Sequence, residues 1–273
     1  MNSVTVILRK ELRDATRGRW LIGFAITFAA MALALSAAQG ESDALGSQGF
    51  TRTTAGLVNL VILLVPLLAL VVGAGAVAGE RERGTLATLL SQPASPMQVL
   101  LGKYLGLTLA VWLAIALGFG AAGLLMALVN PLTDIGHYLQ FVVLAAGLAA
   151  TMLSIGLLIS VLSDTRMKAL AFAIVTWFLL AMLYDLGAIA LALTVSSSGS
   201  TLLLAALANP VESARILAVV GLEPDLRVLG PMGAYLVNEI GTGTSVALLL
   251  AALGCWTILP LAIAARIFGT QDY

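Results

Sequence analysis

Charged residues are scarce in this sequence. Asp, Glu, Lys and Arg make up 10% of its 273 residues, and apolar residues make up 60%, with a mean hydropathy of +1.04. Because a soluble domain carries roughly a quarter charged residues, this chain has too few to cover a water-exposed surface. The formal net charge is zero, so nothing indicates the basic footprint of a nucleic-acid-binding protein.

Metal-ligating and disulfide-forming residues are equally few. The single cysteine, Cys255, excludes an intrachain disulfide, and the single histidine, His137, is expected to be an exposed turn residue. Copper(I) favours thioether ligands, but the eight methionines are scattered and form no clustered pair. We therefore expect no metal site in this chain.

The sequence also lacks a phosphate-binding loop. The only Gly-Lys pair, Gly102-Lys103, is followed by Tyr104 and has no leading glycine at the required spacing. The chain cannot hydrolyse ATP by that mechanism. We expect a protein with no catalytic residues and no cofactor of its own.

Long apolar runs dominate what is present. A bilayer core of about 30 Å requires some 20 apolar residues in a helix. Six stretches meet this requirement, and they predict one all-α domain over residues 1–273, a polytopic membrane protein with six transmembrane helices: Trp20–Ala38, Gly56–Ala78, Tyr104–Val129, Tyr138–Leu162, Ala169–Thr194 and Val246–Phe268.

Orientation follows from the distribution of lysine and arginine. With these spans, eleven of the 14 cations fall on the side that holds both termini, which predicts that both termini are cytoplasmic. Ser36-Ala37-Ala38 also resembles a signal-peptidase site. We expect the first helix to be retained, because its apolar run is near spanning length and the basic segment before it is long.

Residues 1–19 show helical periodicity. Val4, Leu8, Leu12 and Ala15 share one face, and cations repeat on another. This pattern predicts an interfacial helix whose cations meet lipid head groups: Arg9, Lys10, Arg13, Arg17 and Arg19. The alternative is a stop signal that only fixes topology.

Residues 79–97 connect the second and third spans. Charges of alternating sign come first, an apolar face follows, and prolines end the segment. A short, rigid helix parallel to the membrane is predicted, suited to receiving force from a soluble partner; an ordinary hairpin is the alternative. Its residues are Glu80, Arg81, Glu82, Arg83, Gly84, Thr85, Leu86, Leu89, Leu90 and Pro93.

Residues 195–245 form a long segment on the opposite side. Thr201–Ala208 and Val211–Val220 are apolar enough to lie at the membrane surface, and Asn209-Pro210 separates them. The acidic residue Glu212 follows within one turn, as at a helix start. A short amphipathic helix on the outer face is predicted.

Asp185 is the one carboxylate within a predicted span. A charge at membrane depth costs about 2.5–3.5 kcal/mol on insertion scales. It is therefore a proton or cation site, a hydrogen-bonded structural carboxylate, or the edge of a span that ends early. We favour the structural role because no second ionisable residue is evident in a neighbouring span.

The connecting segment resembles a known signature. Glu80–Leu86, Leu89–Pro93 and Leu100–Lys103 are similar to the corresponding stretch in permease subunits of the ABC type-2 exporter superfamily. Further residues resemble those of the permeases that serve copper processing in nitrous oxide reductase maturation: Arg9–Asp14 with Arg17, Arg19 and Trp20, Tyr184–Leu186, Asn209–Glu212 with Arg215, Pro260 and Arg266–Phe268.

This resemblance implies a type V exporter-like fold and a homodimer in the bacterial inner membrane. It also implies two ATP-binding subunits that hold ATP and Mg²⁺ and dock on residues 79–97. A periplasmic β-helical protein would bind the outer face and handle copper. The outer docking residues would be Asn209, Pro210, Glu212 and Arg215.

Two other functions remain open at this stage. An ABC type-2 exporter of a drug, lipid or polysaccharide precursor needs a cavity lined by polar groups, which the spans offer sparingly: Asn59, Thr108, Thr151, Ser154, Ser160 and Thr176. An ion-coupled secondary transporter needs inverted repeats and paired intramembrane charges, and the sequence shows neither.

Overall fold

A computed structural model describes residues 3–39, 48–86, 94–129, 135–187, 199–222 and 229–271. Nearly all of these residues are helical, and the ranges contain no strand. The all-α prediction is therefore confirmed. The helices are α1 Ser3–Arg17, α2 Arg19–Gln39, α3 Gln48–Glu82, α4 Pro96–Val129, α5 Ile135–Leu162, α6 Arg166–Phe178, α7 Gly199–Leu207, α8 Pro210–Leu222, α9 Gly230–Tyr235 and α10 Thr242–Thr270.

Two of these helices continue through a wider turn. A π turn, Leu179–Leu183, extends α6, and the helix runs on to Gly187. A second π turn, Leu236–Ile240, extends α9. Gly241, with a φ of +84°, separates this turn from α10.

Five helices are long and apolar enough to cross a membrane: Asn59–Glu82, Pro96–Leu124, Gly136–Leu162, Arg166–Gly187 and Thr242–Thr270. They confirm the second to sixth predicted spans. The first predicted span is helical in α2, where the described apolar stretch is Ile22–Met31. Together α7 and α8 also pass the test, but they are bent by 119° at Asn209, as in a broken span or a re-entrant loop.

The bundle has two ends, which we name the basic end and the far end. The basic end holds α1, the last turn of α3, the first turn of α4, the α5–α6 turn and the end of α10. The far end holds α7, α8 and α9. Helices that run between them pack α3 against α5 and α6, and α5 against α10.

Glycines set the closest helix contacts. A Cβ on Gly73 would lie 2.7 Å from Leu153 O, and a Cβ on Gly156 would lie 2.7 Å from Leu70 O, so α3 and α5 cross with their backbones in contact. Ser160 Oγ accepts hydrogen bonds from Val77 N and Ala78 N at the same crossing, each 2.9 Å long.

The G-x-x-x-G spacing, which often marks close helix packing, occurs at Gly75 and Gly79 and again at Gly102 and Gly106. The two pairs differ in what they contact. Gly102 and Gly106 do bring α1 onto α4, because added Cβ atoms would lie 2.8 Å from Ile7 Cβ and Leu8 O. Gly75 meets only the Arg166 side chain, at 3.8 Å from the Nε atom. The contact in α3 is therefore made by Gly73.

Candidate functional site

The last turn of α3 carries the alternating charges. The sequence assigned residues 79–82 to a separate helix, but they continue α3 as far as Glu82. The turn comes at Gly84, whose φ of +70° is the left-handed conformation that commonly ends a helix. Leu86, in the next helical turn, is buried. Leu89, Leu90 and Pro93 lie outside the described residues.

Four charged side chains meet where α1, α3 and α4 come together. Lys103 Nζ lies 2.8 Å from both Glu11 Oε1 and Glu80 Oε1. Lys10 Nζ lies 3.4 Å from the first of these oxygens and 3.2 Å from the second. We name Lys10, Glu11, Glu80 and Lys103 the basic-end ion cluster. Two lysines balance two carboxylates, so the cluster is formally neutral.

The cluster is deeply enclosed. The side chain of Lys103 is 1% exposed and those of Glu11 and Glu80 are 11% and 10% exposed. Taking such charges out of water is costly unless each is matched by an opposite charge at close range. Here the opposite charges come from three helices, α1, α3 and α4. The ion pairs therefore fix the positions of these helices relative to one another.

The local sequence explains how these groups meet. Glu11 lies one helical turn after Ile7, which packs on Gly102, so Glu11 faces the same side of α4 as Lys103. Lys10 lies at the rim, with a side chain 46% exposed. Burial alone would lower the pKa of Lys10, but attraction by Glu11 and Glu80 outweighs this and raises it. Lys10 therefore remains charged at neutral pH.

Arg81 and Glu82 extend these contacts to other helices. Arg81 donates to Ser163 O at 2.7 Å and to Gln271 Oε1 at 2.6 Å. Glu82 Oε2 accepts a hydrogen bond from Arg166 N, 3.0 Å away, at the start of α6. We name Glu80, Arg81 and Glu82 the α3 node. Three consecutive residues thus link α3 to α1, α4, the α5–α6 turn, α6 and the chain after α10.

The predicted lipid-facing cations take different positions. Arg9, Arg13 and Arg17 are exposed, as is Arg83. Lys10 instead contacts carboxylates of its own chain. The side chain of Arg19 lies outside the described residues. Contact of the exposed cations with lipid head groups stays a prediction.

A second group of charges occupies the far end. Arg215 of α8 forms a two-pronged ion pair with Asp185, with Nη1–Oδ1 at 2.7 Å and Nη2–Oδ2 at 2.8 Å. Arg215 Nη1 also lies 2.8 Å from Glu212 Oε2. We name Asp185, Glu212 and Arg215 the far-end triad; its formal charge is minus one. Asp185 thus has the hydrogen-bonding partner that a structural carboxylate requires. The sequence argument missed this partner because it considered only neighbouring spans, and Arg215 lies outside them.

Asn209 and Pro210 form the bend next to the triad. Pro210 is the first residue of α8, as the sequence predicted. Asn209 is 1% exposed; its Oδ1 accepts from Val211 N at 2.9 Å, and its Nδ2 donates to Leu180 O at 2.8 Å. The four predicted docking residues therefore lie at the start of α8 or within it, and two of them, Asn209 and Arg215, contact the α6 helix. Their contact with a partner stays a prediction.

The described ranges contain no group of three or more His, Cys, Asp or Glu residues placed to hold a metal ion. His137 lies in the first turn of α5, partly buried, and lines a small crevice with Gln140 and Gly221. The expectation of an exposed turn residue was wrong, because α5 begins earlier than the predicted span. Cys255 is exposed on α10.

Comparison with known proteins defines the class. The model of a family described as ABC-2 family transporter protein matches residues 5–273. The chain belongs to this family and is a multi-pass permease, and a permease of this kind implies an ATP-binding partner.

Two individual proteins are similar to this chain. The chain is 33% identical over 278 residues to the probable ABC transporter permease protein NosY of Stutzerimonas stutzeri, which covers 97% of this chain and 99% of that protein. It is 31% identical over 277 residues to the protein of the same name from Pseudomonas aeruginosa PAO1, which covers 98% of each. The similarity thus extends over nearly the whole length of both relatives.

Proposed function

We propose that this chain is the permease of an ABC transporter in which ATP-driven movement of separate subunits is passed through the membrane to an outer partner. The NosY relatives and the residues of the sequence resemblance support a role in copper delivery during nitrous oxide reductase maturation. In this proposal the permease is a homodimer in the bacterial inner membrane, and the basic end is cytoplasmic. The excess of lysine and arginine on that side supports this orientation.

The α3 node is the observation that carries the proposal. Residues 83–95 lead directly from the node to α4, so any displacement of this connection acts first on Glu80, Arg81 and Glu82. The node contacts α1, α4 and the start of α6 through ion pairs and hydrogen bonds. An ATP-binding subunit that pushes on residues 83–95 would therefore move several helices at once.

ATP and Mg²⁺ belong to the ATP-binding subunits in this proposal, and copper belongs to a β-helical periplasmic partner. The sequence supports this division, because it has no phosphate-binding loop and only one histidine and one cysteine. The outer partner would meet α7, α8 and α9. The permease then supplies movement to a protein that holds the metal.

Three of the six polar span residues, Thr151, Ser154 and Ser160, favour this function over export of a polar cargo. Thr151 Oγ1 lies 2.8 Å from Thr257 Oγ1, Ser154 Oγ donates to Thr151 O at 3.0 Å, and Ser160 Oγ donates to Ala74 O at 2.6 Å. All three side chains lie inside the single chain, where they satisfy its own helices. Groups used in this way do not line a path for cargo.

The first experiment is purification of the tagged protein from native membranes in mild detergent. We expect an ATP-binding subunit and an outer protein to co-purify. Recovery of the permease alone, under conditions that preserve other ABC transporters, would contradict the proposal.

The second experiment measures transmission through the α3 node. In a Cys255→Ser background, Leu204→Cys in α7 carries a fluorescent label, because Leu204 is 69% exposed. We expect ATP to change the label's emission in the assembled complex. Arg81→Met should reduce that change severalfold, since it removes the contacts to the α5–α6 turn, whereas Arg83→Met, on an exposed neighbour, should not. Equal signals from the two variants would show that the node does not transmit.

A further inference from the structure

A cavity of about 260 Å³ lies at the far end between α6, α7, α8 and α9. Most of its wall is apolar, contributed by Leu202, Ala205, Leu229 and Met232. Two polar side chains, Tyr184 and Glu212, also line it. The cavity therefore combines an apolar wall with one carboxylate and one phenol.

The charge balance of the far-end triad leaves Glu212 under-compensated. Arg215 gives both terminal nitrogens to Asp185 and shares only Nη1 with Glu212 Oε2. Within the described ranges Glu212 Oε1 accepts no hydrogen bond, although its side chain is only 15% exposed. A largely buried carboxylate, with one oxygen that accepts no hydrogen bond within the described ranges, attracts a cationic donor.

We propose that this cavity binds a primary ammonium group carried on a short apolar body. The ammonium supplies three donors and no acceptor, which suits Glu212 Oε1 and the Tyr184 hydroxyl oxygen. The apolar body then lies against Leu202, Ala205 and Met232. An anionic ligand would be repelled by the triad, and a neutral apolar ligand would leave Glu212 Oε1 without a donor. The ammonium comes from a free amine or from the ethanolamine head group of a lipid.

Saturation-transfer NMR on the full chain in phosphatidylglycerol nanodiscs tests the site, because this lipid carries no amine. The probe is n-butylammonium, and n-butanol is its neutral counterpart. We expect butylammonium to bind more tightly than butanol. Glu212→Gln should weaken butylammonium binding roughly tenfold, the loss expected for one hydrogen bond to a charged group. Glu239→Gln, on an exposed carboxylate outside the cavity, should leave binding unchanged.

A second variant separates loss of the site from loss of the fold. Ala205→Phe fills the cavity and leaves every charge in place, and it should abolish butylammonium binding without altering the helical circular dichroism. If butylammonium binds no better than butanol, or if Glu212→Gln and Ala205→Phe both leave its binding unchanged, the proposal is overturned.

Nanodiscs that contain phosphatidylethanolamine distinguish the two sources. If that lipid suppresses the butylammonium signal, and native mass spectra show a bound molecule that Glu212→Gln loses, the occupant is the lipid head group. If butylammonium binding persists in these nanodiscs, the occupant is a free amine. The experiments use the permease without ATP-binding subunits, so their outcome is independent of the proposed function.

Discussion

The two charged groups of this permease differ in burial and balance. The basic-end ion cluster is neutral and encloses Lys103, which is 1% exposed. The far-end triad carries one excess negative charge, and Asp185 and Arg215 are 35% and 25% exposed. The first group ties together helices that are distant in the sequence, α1, α3 and α4. The second joins the end of α6 to α8.

This difference indicates different mechanical roles. A buried, charge-balanced cluster is destabilised strongly by any separation of its members, because an unpaired charge is then left without water. The far-end triad is more exposed, so its members can exchange partners for water at a lower cost than those of the basic-end ion cluster. We therefore expect the helices at the basic end to move together as one unit. At the far end we expect the ion pairs to change partners during the movement.

The largest expected effect comes from breaking the basic-end ion cluster. Lys103→Met leaves two nearly buried carboxylates with only Lys10 as counter-charge, and should lower the free energy of unfolding by about 3–5 kcal/mol. Denaturant unfolding in detergent measures the loss. Lys168→Met removes the exposed pair with Asp164 and should cost less than about 0.5 kcal/mol. Equal losses in the two variants would refute the distinction between buried and exposed pairs.

A smaller effect is expected at the far end. A double-mutant cycle with Asp185→Asn and Arg215→Met should give a coupling energy of roughly 1–2 kcal/mol, because the pair is strong in geometry but partly solvated. A cycle that combines Asp185→Asn with Lys168→Met is the control and should be additive. If Asp185→Asn alone keeps assembly and ATP turnover, the ion-site interpretation of this residue is eliminated. Additivity of Asp185 with Arg215 would contradict the observed pair.

The smallest effect, the response to salt, compares the two ends directly. Raising the ionic strength from about 0.01 M to about 1 M shortens the screening length from about 30 Å to about 3 Å. The Asp185–Arg215 coupling should fall by roughly half, because these side chains contact solvent. The Lys103–Glu80 coupling, from Lys103→Met and Glu80→Gln, should be unchanged. The same salt response at both ends would contradict the difference in burial.

The spans were predictable because each depends on a local property, a run of apolar residues long enough to cross a bilayer. The start of α8 at Pro210 was predictable for the same reason, because its signal, a proline with an acidic residue in the same turn, is also local. The end of α3 was not predictable in this way, since residues 80–82 are charged and lie beyond the apolar run that marks the span. Here Glu80, Arg81 and Glu82 continue the helix because its neighbours supply their partners.

The ion clusters depend on contacts between distant segments, and a single sequence does not show these. Glu11 and Lys103 are 92 residues apart. In the sequence Lys103 drew notice for the missing phosphate-binding loop and as part of the family resemblance, and neither points to Glu11. Gly102 and Gly106 were the available signal, since they mark where another helix comes close to α4. For Asp185, extending the search beyond the spans to the outer segment would have found Arg215.

The π turn in α6 has a consequence for how the far end is aligned. Each residue of an α-helix advances the side-chain direction by about 100°, so the one extra residue that a π turn accommodates resets the phase of all that follows. Leu179–Leu183 lies just before Asp185, and Asn209 Nδ2 donates to Leu180 O within that turn. Deletion of one residue here would restore a regular helix and swing Asp185 away from Arg215. The length of Leu179–Leu183 thus determines whether Asp185 faces Arg215, and so how α6 is aligned with α8.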